Sequence, residues 1–160
     1  MNKTAWQKSE SMEMGILLAL TGGILDAYTY LTRGGVFANA QTGNIVLLGV
    51  YLAQGEYSRA ARYVIPIAAF AVGVIIAELI KQRFKTQGNT AFHWRQIVIL
   101  IEVILLAGVA FLPQSMNMLA NVMVSFICSL QVQTFRKIHQ ITCATTMCTG
   151  NLRSGTEAIY

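Results

Sequence analysis

The sequence predicts an all-α protein, a polytopic bundle of transmembrane helices, and two observations support this fold class. Hydrophobic residues make up 54% of the 160 residues, charged residues make up only 12%, and the mean hydropathy is +0.51. A soluble domain carries about 25% charged residues. Four mostly apolar runs, at 14–32, 61–80, 97–113 and 116–135, each have roughly the length of a helix that crosses about 30 Å of hydrocarbon. The bilayer is therefore the expected solvent of this chain.

The formal net charge of +5 does not indicate a nucleic-acid partner, because the basic residues cluster between the apolar runs. This distribution is typical of loops that follow the positive-inside rule and contact anionic lipid headgroups. The lipid bilayer is thus the predicted partner. The clustered residues are Lys81, Arg83, Lys85, Arg95, Arg136 and Lys137.

Two Thr-Gly-Asn tripeptides, Thr42-Gly43-Asn44 and Thr149-Gly150-Asn151, mark an internal repeat. Sixteen residues before each lies a polar residue within an apolar run, Asp26 in the first case and Gln133 in the second. One offset of 107 positions relates both pairs. Repeats that each carry a polar mark are typical of secondary transporters.

We therefore predict a single transmembrane domain over residues 1–160, built from two related repeats that each contain a Thr-Gly-Asn short or broken helix. The first repeat covers about 12–82, a connecting helix covers 97–113, and the second repeat covers about 116–160. No counterpart of the 61–80 helix follows the second tripeptide. The second repeat is therefore expected to be incomplete.

The segment 41–54 is short for a membrane span, and its Thr42 and Asn44 favour a helix start. It is either a half-helix that enters part-way from a loop or a full span joined by 36–41.

Small residues recur every four positions in the predicted helices 14–32 and 61–80. Such faces permit close approach of two helices, so we expect these two helices to meet through them and the 116–135 helix to pack with both. The small residues are Gly15, Ala19, Gly23, Ala69, Gly73 and Ala77.

A polar stripe follows one face of the predicted helix 116–135, with a polar residue at every fourth position. Such a face should contact protein or water rather than lipid. It either holds helices together by hydrogen bonds or lines a solute path, and the sequence leaves both readings open. The stripe consists of Asn117, Asn121, Ser125, Ser129 and Gln133.

The predicted substrate or ion site centres on Asp26, because a carboxylate in the hydrocarbon region needs a proton, a cation or a polar partner. Glu102 in the 97–113 helix is a second candidate acid. A structural hydrogen bond of Asp26 is the alternative. The predicted site comprises Asp26, Gln41, Thr42, Gly43, Asn44, Gln133, Thr149, Gly150 and Asn151, supported by Asn121, Ser125 and Ser129.

The sequence shows no catalytic or cofactor-binding motif, so neither an enzyme nor a cofactor is predicted. The three cysteines, Cys128, Cys143 and Cys148, are an odd number and fit small packing residues. His139 with Cys143 and Cys148 matches no familiar metal-site spacing. No metal is predicted.

The run GGILDAYTYLTRGGVFANAQTGNIVLLG resembles the first signature of the YoaK-like bacterial inner-membrane proteins, a family of unknown function. The later run SLQVQTFRKIHQITCATTMCTGNL is similar to the second signature of that family, with a looser match around Ser129 and Thr134. The resemblance implies a multi-pass protein of the bacterial inner membrane. It leaves two readings of function: a small-solute transporter or channel with its site between the repeats, and a non-transporting subunit that contacts lipid or a partner, with a homo-oligomer open in either case.

The charge distribution bears on topology. If the Thr-Gly-Asn segments re-enter the membrane without crossing it, a cytoplasmic N-terminus places eight basic residues inside and only Arg33, Arg59 and Arg62 outside. If 36–54 spans, the better orientation has seven inside and four outside. The positive-inside rule favours the re-entrant arrangement.

Overall fold

The computed structural model describes residues 11–85, 94–138, 141–142 and 148–159, and α-helices dominate these ranges. A 3-10 turn, Gln114–Met116, leads into the fifth helix. A two-residue antiparallel pair, β1 (Lys137–Ile138) with β2 (Ile141–Thr142), is a minor addition to the predicted all-helical fold. The helices are α1 (Met12–Thr32), α2 (Gln41–Ala53), α3 (Tyr57–Lys85), α4 (Trp94–Ala110), α5 (Asn117–Thr134) and α6 (Cys148–Ile159).

Three segments of the described chain are long and apolar enough to cross a membrane: Met12–Thr32, Tyr57–Phe84 and Gln114–Thr134. This confirms the predicted class of helical membrane protein. α3 is longer than the predicted run 61–80, because its polar first turn and its basic last turns continue the helix beyond the apolar part. α4 ends at Ala110, three residues before the predicted boundary at Pro113, which follows a turn.

α5 is the central helix of the bundle. Half of its candidate span is buried inside the protein, against 22% for the spans in α1 and α3. The apolar core follows α5 in two clusters. Ala38, Val109, Ala120, Val124 and Cys128 form one, and Ala77, Val98 and Leu130 form the other. A helix surrounded by others in this way can carry polar residues at low cost, because lipid does not contact them.

Contacts along α5 fix the direction of its neighbours. α1 is antiparallel to α5, since Arg33 bonds Asn117 at the start of α5, and Gln131 near its end donates to the carbonyl of Leu18 over 2.9 Å. α3 is parallel to α5, because Gly73 faces Ser129 and, further along both helices, Gln133 bonds Glu78. We call the two ends of the bundle the Arg33 end and the Glu78 end.

The expected packing of α1 against α3 through small residues is wrong. Gly73 lies against α5 instead, so close to Ser129 Oγ and the Phe126 carbonyl that an added Cβ would overlap them. Gly23 of α1 is exposed and has no atom within 4 Å of where its Cβ would lie. The small face of α3 therefore packs against α5 and not against α1. At Gly73 the absence of a side chain leaves room for the hydroxyl of Ser129 and the carbonyl of Phe126.

Candidate functional site

The start of α2 is held by side chains that bind four successive backbone N–H groups. The N–H of Phe37 donates to Asn44 Oδ1 over 3.0 Å, and that of Ala38 donates to Thr29 Oγ1 over 3.2 Å. The next two N–H groups, of Asn39 and Ala40, both donate to Asp26 Oδ1, over 2.7 and 3.3 Å. No amide in 37–40 is left without an acceptor, which is what non-helical backbone in a membrane interior requires.

Asp26 therefore caps α2 from the neighbouring helix. Ala40, the residue before α2, offers no side-chain cap of its own. The Asp26 carboxylate replaces it, and a negative group is favourable at the positive end of the α2 dipole. Seven residues separate Asp26 from Arg33, about 10 Å along α1, so α2 begins well below the Arg33 end. Asp26 was predicted to need a proton, a cation or a polar partner. In the structure its partner is the backbone of Asn39 and Ala40, in the segment that folds back on α1.

The first Thr-Gly-Asn tripeptide shapes this turn. Asn44 is fully buried, and its Nδ2 donates to the Phe37 carbonyl over 2.6 Å and to Gln41 Oε1 over 2.9 Å. Gly43 lies beneath the ring of Phe37, and a Cβ there would come within 2.7 Å of Cδ2. Thr42 is exposed. Gln41 Nε2 donates to the Ala38 carbonyl over 2.9 Å, so the tripeptide and its neighbours close the loop on itself.

The second set of predicted site residues lies elsewhere. Gln133 Nε2 donates to Glu78 Oε2 over 2.8 Å, and Glu78 also forms an ion pair with Lys81 Nζ, three residues further along α3, over 2.8 Å. Thr149 and Gly150 are exposed in the first turn of α6. The side chain of Asn151 lies outside the described part of the structure. The structure thus brings Asp26, Gln41 and Asn44 together and does not bring Gln133 to them.

The middle of the polar stripe of α5 is buried, as predicted for a face turned away from lipid, and its two end residues, Asn117 and Gln133, are partly buried. Asn121, Ser125 and Ser129 are at most 2% exposed. Ser129 Oγ donates to the Phe126 carbonyl over 2.6 Å, and Asn121 Nδ2 donates to the Arg33 carbonyl over 2.8 Å. Ser125 Oγ has no hydrogen-bond partner among the described residues. It is therefore a buried polar group with unused bonding capacity inside the bundle.

Glu102 is the second such group. Its side chain is 8% exposed, and Oε1 has no partner within the described ranges. Along α4, Val98 packs with Leu130 and Val109 packs with Ala120 and Val124. Glu102 therefore lies at the depth of the α5 segment that contains Ser125 and Ser129. Asp26 lies at a similar depth on α1, because the contacts of α1 with α5 on either side of it join Leu18 to Gln131 and Arg33 to Asn117.

Arg33 is a further buried polar residue of the bundle, and the sequence pattern placed it only among the basic residues outside the membrane. It is 4% exposed. Nε donates to the Tyr28 hydroxyl over 2.6 Å, and Nη2 donates to the Leu112 carbonyl over 2.8 Å. Nη1 donates to the Pro113 carbonyl over 3.0 Å and to Asn117 Oδ1 over 3.3 Å. The sequence signal was an arginine directly after an apolar run and before Gly34-Gly35, with Asn117 and Asn121 four residues apart on a helix.

A metal centre gains no support from the described residues, which contain no group of three His, Cys, Asp or Glu side chains. His139 and Cys143 lie outside the described ranges, as does the side chain of Cys148. The candidate site is thus made of two acids, buried hydroxyl and amide groups, and backbone at a helix start.

Long apolar helices around a buried polar α5 define a helical membrane protein. The chain belongs to the family described as "Protein of unknown function (DUF1275)", whose family model matches residues 14–160. Over 63 residues it is 43% identical to the "UPF0700 transmembrane protein YoaK" of Bacillus subtilis (strain 168). That match covers 39% of this chain and 28% of the relative. The resemblance to the YoaK-like family is thereby confirmed, and no solved structure matches the chain.

Proposed function

We propose that this protein is a multi-pass carrier or channel of the bacterial inner membrane that moves a small solute through its bundle, and that it is not an enzyme. The observation that carries the proposal is the carboxyl group of Glu102, which is buried in the bundle with one oxygen lacking a partner among the described residues. Ionisable groups inside membrane bundles are costly and mark ion or proton pathways. Glu102 is the proposed proton or cation site.

The surroundings of Glu102 support this role. The buried Ser125 hydroxyl lies at a similar depth on α5 and has no partner in the described structure. Asp26 lies at a similar depth on α1, between the Leu18–Gln131 and Arg33–Asn117 contacts with α5, and is a second carboxyl group at this level of the bundle. A protonated or cation-bound Glu102 would accommodate the fixed charge of Asp26, and a hydroxyl offers both a donor and an acceptor to a polar solute.

The position of α2 supports a re-entrant segment. α2 starts beside Asp26, below the Arg33 end, and Tyr63 in the early part of α3 bonds the Gly35 carbonyl just after α1. The chain between α1 and α3 therefore leaves and returns at the same end of the bundle. In transporters, a helix that starts within the membrane directs its N-terminal amides into a binding region. Here Asp26 occupies the two amides directly before α2, those of Asn39 and Ala40, and a solute would compete for them.

The basic residues support one orientation. Lys81, Arg83 and Arg95 lie at the Glu78 end of α3 and α4, and Arg136 follows α5 at that end. Arg33 lies at the opposite end, and the early part of α3 carries Arg59 and Arg62. By the positive-inside rule the Glu78 end is the proposed cytoplasmic end.

The helix starts support the internal repeat. α2 begins at Gln41 and α6 begins at Cys148, 107 positions apart, which equals the offset between the two tripeptides. The two copies differ in their surroundings, because α2 is capped by Asp26 whereas Gln133, its counterpart, bonds Glu78. Because Gln133 is neutral, the proposed path is asymmetric. Asp26 and Glu102 are its only proposed acids.

The experiment is proton-coupled flux in proteoliposomes that contain the purified chain and entrapped pyranine, a pH-sensitive dye. Gradients of amino acids, small carboxylates, sugars, Na⁺ and K⁺ are imposed in turn. At least one gradient should produce a proton flux above that of protein-free vesicles. Glu102→Gln should reduce the flux by tenfold or more, because the amide has no titrating proton.

The matched control is Glu56→Gln, which changes an acid in an exposed ion pair with Arg59, outside the bundle. It should leave the flux unchanged. An equal flux in Glu102→Gln and the parent protein would refute the assignment of Glu102. Absence of flux for every solute class would favour the alternative, a non-transporting subunit that contacts lipid or a partner protein.

A further inference from the structure

A cavity at the Arg33 end carries positive charge that no acidic side chain of the described structure neutralises. Its volume is about 230 Å³. Two arginines line it, Arg33 from the end of α1 and Arg62 from α3. The ion pairs found in the described residues are Arg59–Glu56 and Lys81–Glu78, so neither cavity arginine belongs to one.

Arg33 is held as a fixed charge on the cavity wall. All of its bonds go to neutral acceptors: the Tyr28 hydroxyl, two backbone carbonyls and the Asn117 amide. These bonds fix the orientation of the guanidinium, but they do not cancel its charge. A buried charge without a counter-ion is unfavourable, so the cavity favours a negatively charged occupant.

The remaining wall of the cavity suits an oxyanion. Gln114, Ser115 and Asn117 offer amide and hydroxyl donors. Asn117 and Met118 belong to the first turn of α5, and the positive end of the α5 dipole adds favourable potential for an anion. Arg62 is exposed, so its long side chain can close over a ligand that has entered.

We propose that this cavity binds a phosphate group, presented either by the headgroup of an anionic phospholipid or by a small soluble phosphate. Arg33 supplies the fixed charge, Arg62 supplies the mobile one, and Ser115 and Asn117 supply neutral donors. The site is distinct from the proposed transport path. Arg33 lies two turns of α1 beyond Asp26, and Glu102 lies within α4, away from the α4–α5 turn that borders the cavity.

The experiment measures phosphate binding by the full chain, not transport. The purified protein is placed in nanodiscs of phosphatidylcholine alone or with phosphatidylglycerol, and Tm and lipid retention in native mass spectrometry are recorded. Inorganic phosphate is titrated separately, with chloride at equal ionic strength as reference. Either phosphatidylglycerol or phosphate should raise Tm and be retained. A response to phosphatidylglycerol alone identifies a lipid headgroup, and a response to inorganic phosphate identifies a soluble ligand.

Two variants test the assignment without disturbing buried contacts. Arg62→Gln should weaken retention about fivefold, the effect of one interfacial basic residue on anionic lipid. Gln114→Glu, which places a negative charge at the exposed rim, should abolish it. Arg59→Gln, an exposed arginine of the same helix that is absent from the cavity lining, should retain the ligand. Equal weakening by Arg59→Gln and Arg62→Gln, or no response to either phosphate source, would overturn the proposal.

Discussion

Asp26 Oδ1 accepts hydrogen bonds from the backbone N–H groups of both Asn39 and Ala40, so a side chain of α1 forms the cap of α2. This contact joins the only acid in the middle of the apolar run 14–32 to the segment that returns into the bundle. It gives Asp26 a structural role that can be measured independently of any transport.

Removal of this cap should destabilise the protein. We expect Asp26→Ala to lower the free energy of unfolding by about 1.5–3 kcal/mol, the usual contribution of hydrogen bonds to a charged group. Asp26→Asn, which keeps one acceptor oxygen, should lose less. Unfolding in mixed micelles of dodecyl maltoside and SDS, followed by circular dichroism, measures both. Glu13→Gln, in the first turn of α1, is the control, and a loss as large as that of Asp26→Ala would argue against the cap.

The contact between α3 and α5 predicts a difference between two glycines. Gly73→Leu should destabilise the bundle by about 1–3 kcal/mol or more, because an added side chain overlaps Ser129 and Phe126. Gly23→Leu should have little effect, because nothing lies near that position. The same unfolding assay compares them. Similar losses for the two variants would be inconsistent with the parallel packing of α3 on α5.

The first tripeptide should divide into one structural and one tolerant position. Asn44→Leu leaves the buried N–H and carbonyl of Phe37 without partners and should cost about 1–3 kcal/mol. Thr42→Ala should cost less than about 0.5 kcal/mol, because the side chain is exposed. Hydrogen exchange at the Phe37 amide gives a local readout. Unchanged protection of this amide in Asn44→Leu would contradict the assigned bonds.

The re-entrant arrangement predicts the sides from which introduced cysteines can be labelled. In a chain whose native cysteines are replaced by alanine, Thr32→Cys and Tyr57→Cys should both react from the extracytoplasmic side. Arg83→Cys, near the other end of α3, should react only from the cytoplasmic side. Membrane-impermeant maleimide on cells measures this, with detergent-solubilised protein as the reference for full labelling. Labelling of positions 32 and 57 from opposite sides would mean that the segment between them crosses the membrane.

The sequence predicted the boundaries of the helices better than it predicted which helices pack together. α1, α2 and α5 start and end within two residues of the predicted runs, because a sustained apolar run bounded by polar residues marks the extent of a helix in a membrane protein. The packing of α3 against α5 was predicted correctly, but α1 was wrongly expected at the small residues of α3, because small residues show where a helix can be approached but not by which helix. Gly73 is a case in point, since its partner Ser129 is 56 positions away.

The candidate site was partly predictable for a similar reason. A carboxylate such as Asp26 is conspicuous in an apolar run, but the backbone amides that bind it carry no residue-type signal. Glu102 and the stripe on α5 were recognised from their polarity, and Glu102 and the three middle residues of the stripe are buried. Arg33 was missed as a ligand of the α4–α5 turn, because an arginine at the end of an apolar run is usually an interfacial residue.

The parallel pairing of α3 and α5 also has a consequence for biosynthesis. During translation α3 is synthesised before α4 and α5. The surface around Gly73 is therefore exposed to lipid until α5, two helices later in the chain, has been inserted. α5 then arrives with several buried polar residues, among them Ser125 and Gln131, which lipid alone solvates poorly. Its insertion is therefore expected to depend on α3 being already in the bilayer, so the order of translation becomes part of how this bundle assembles.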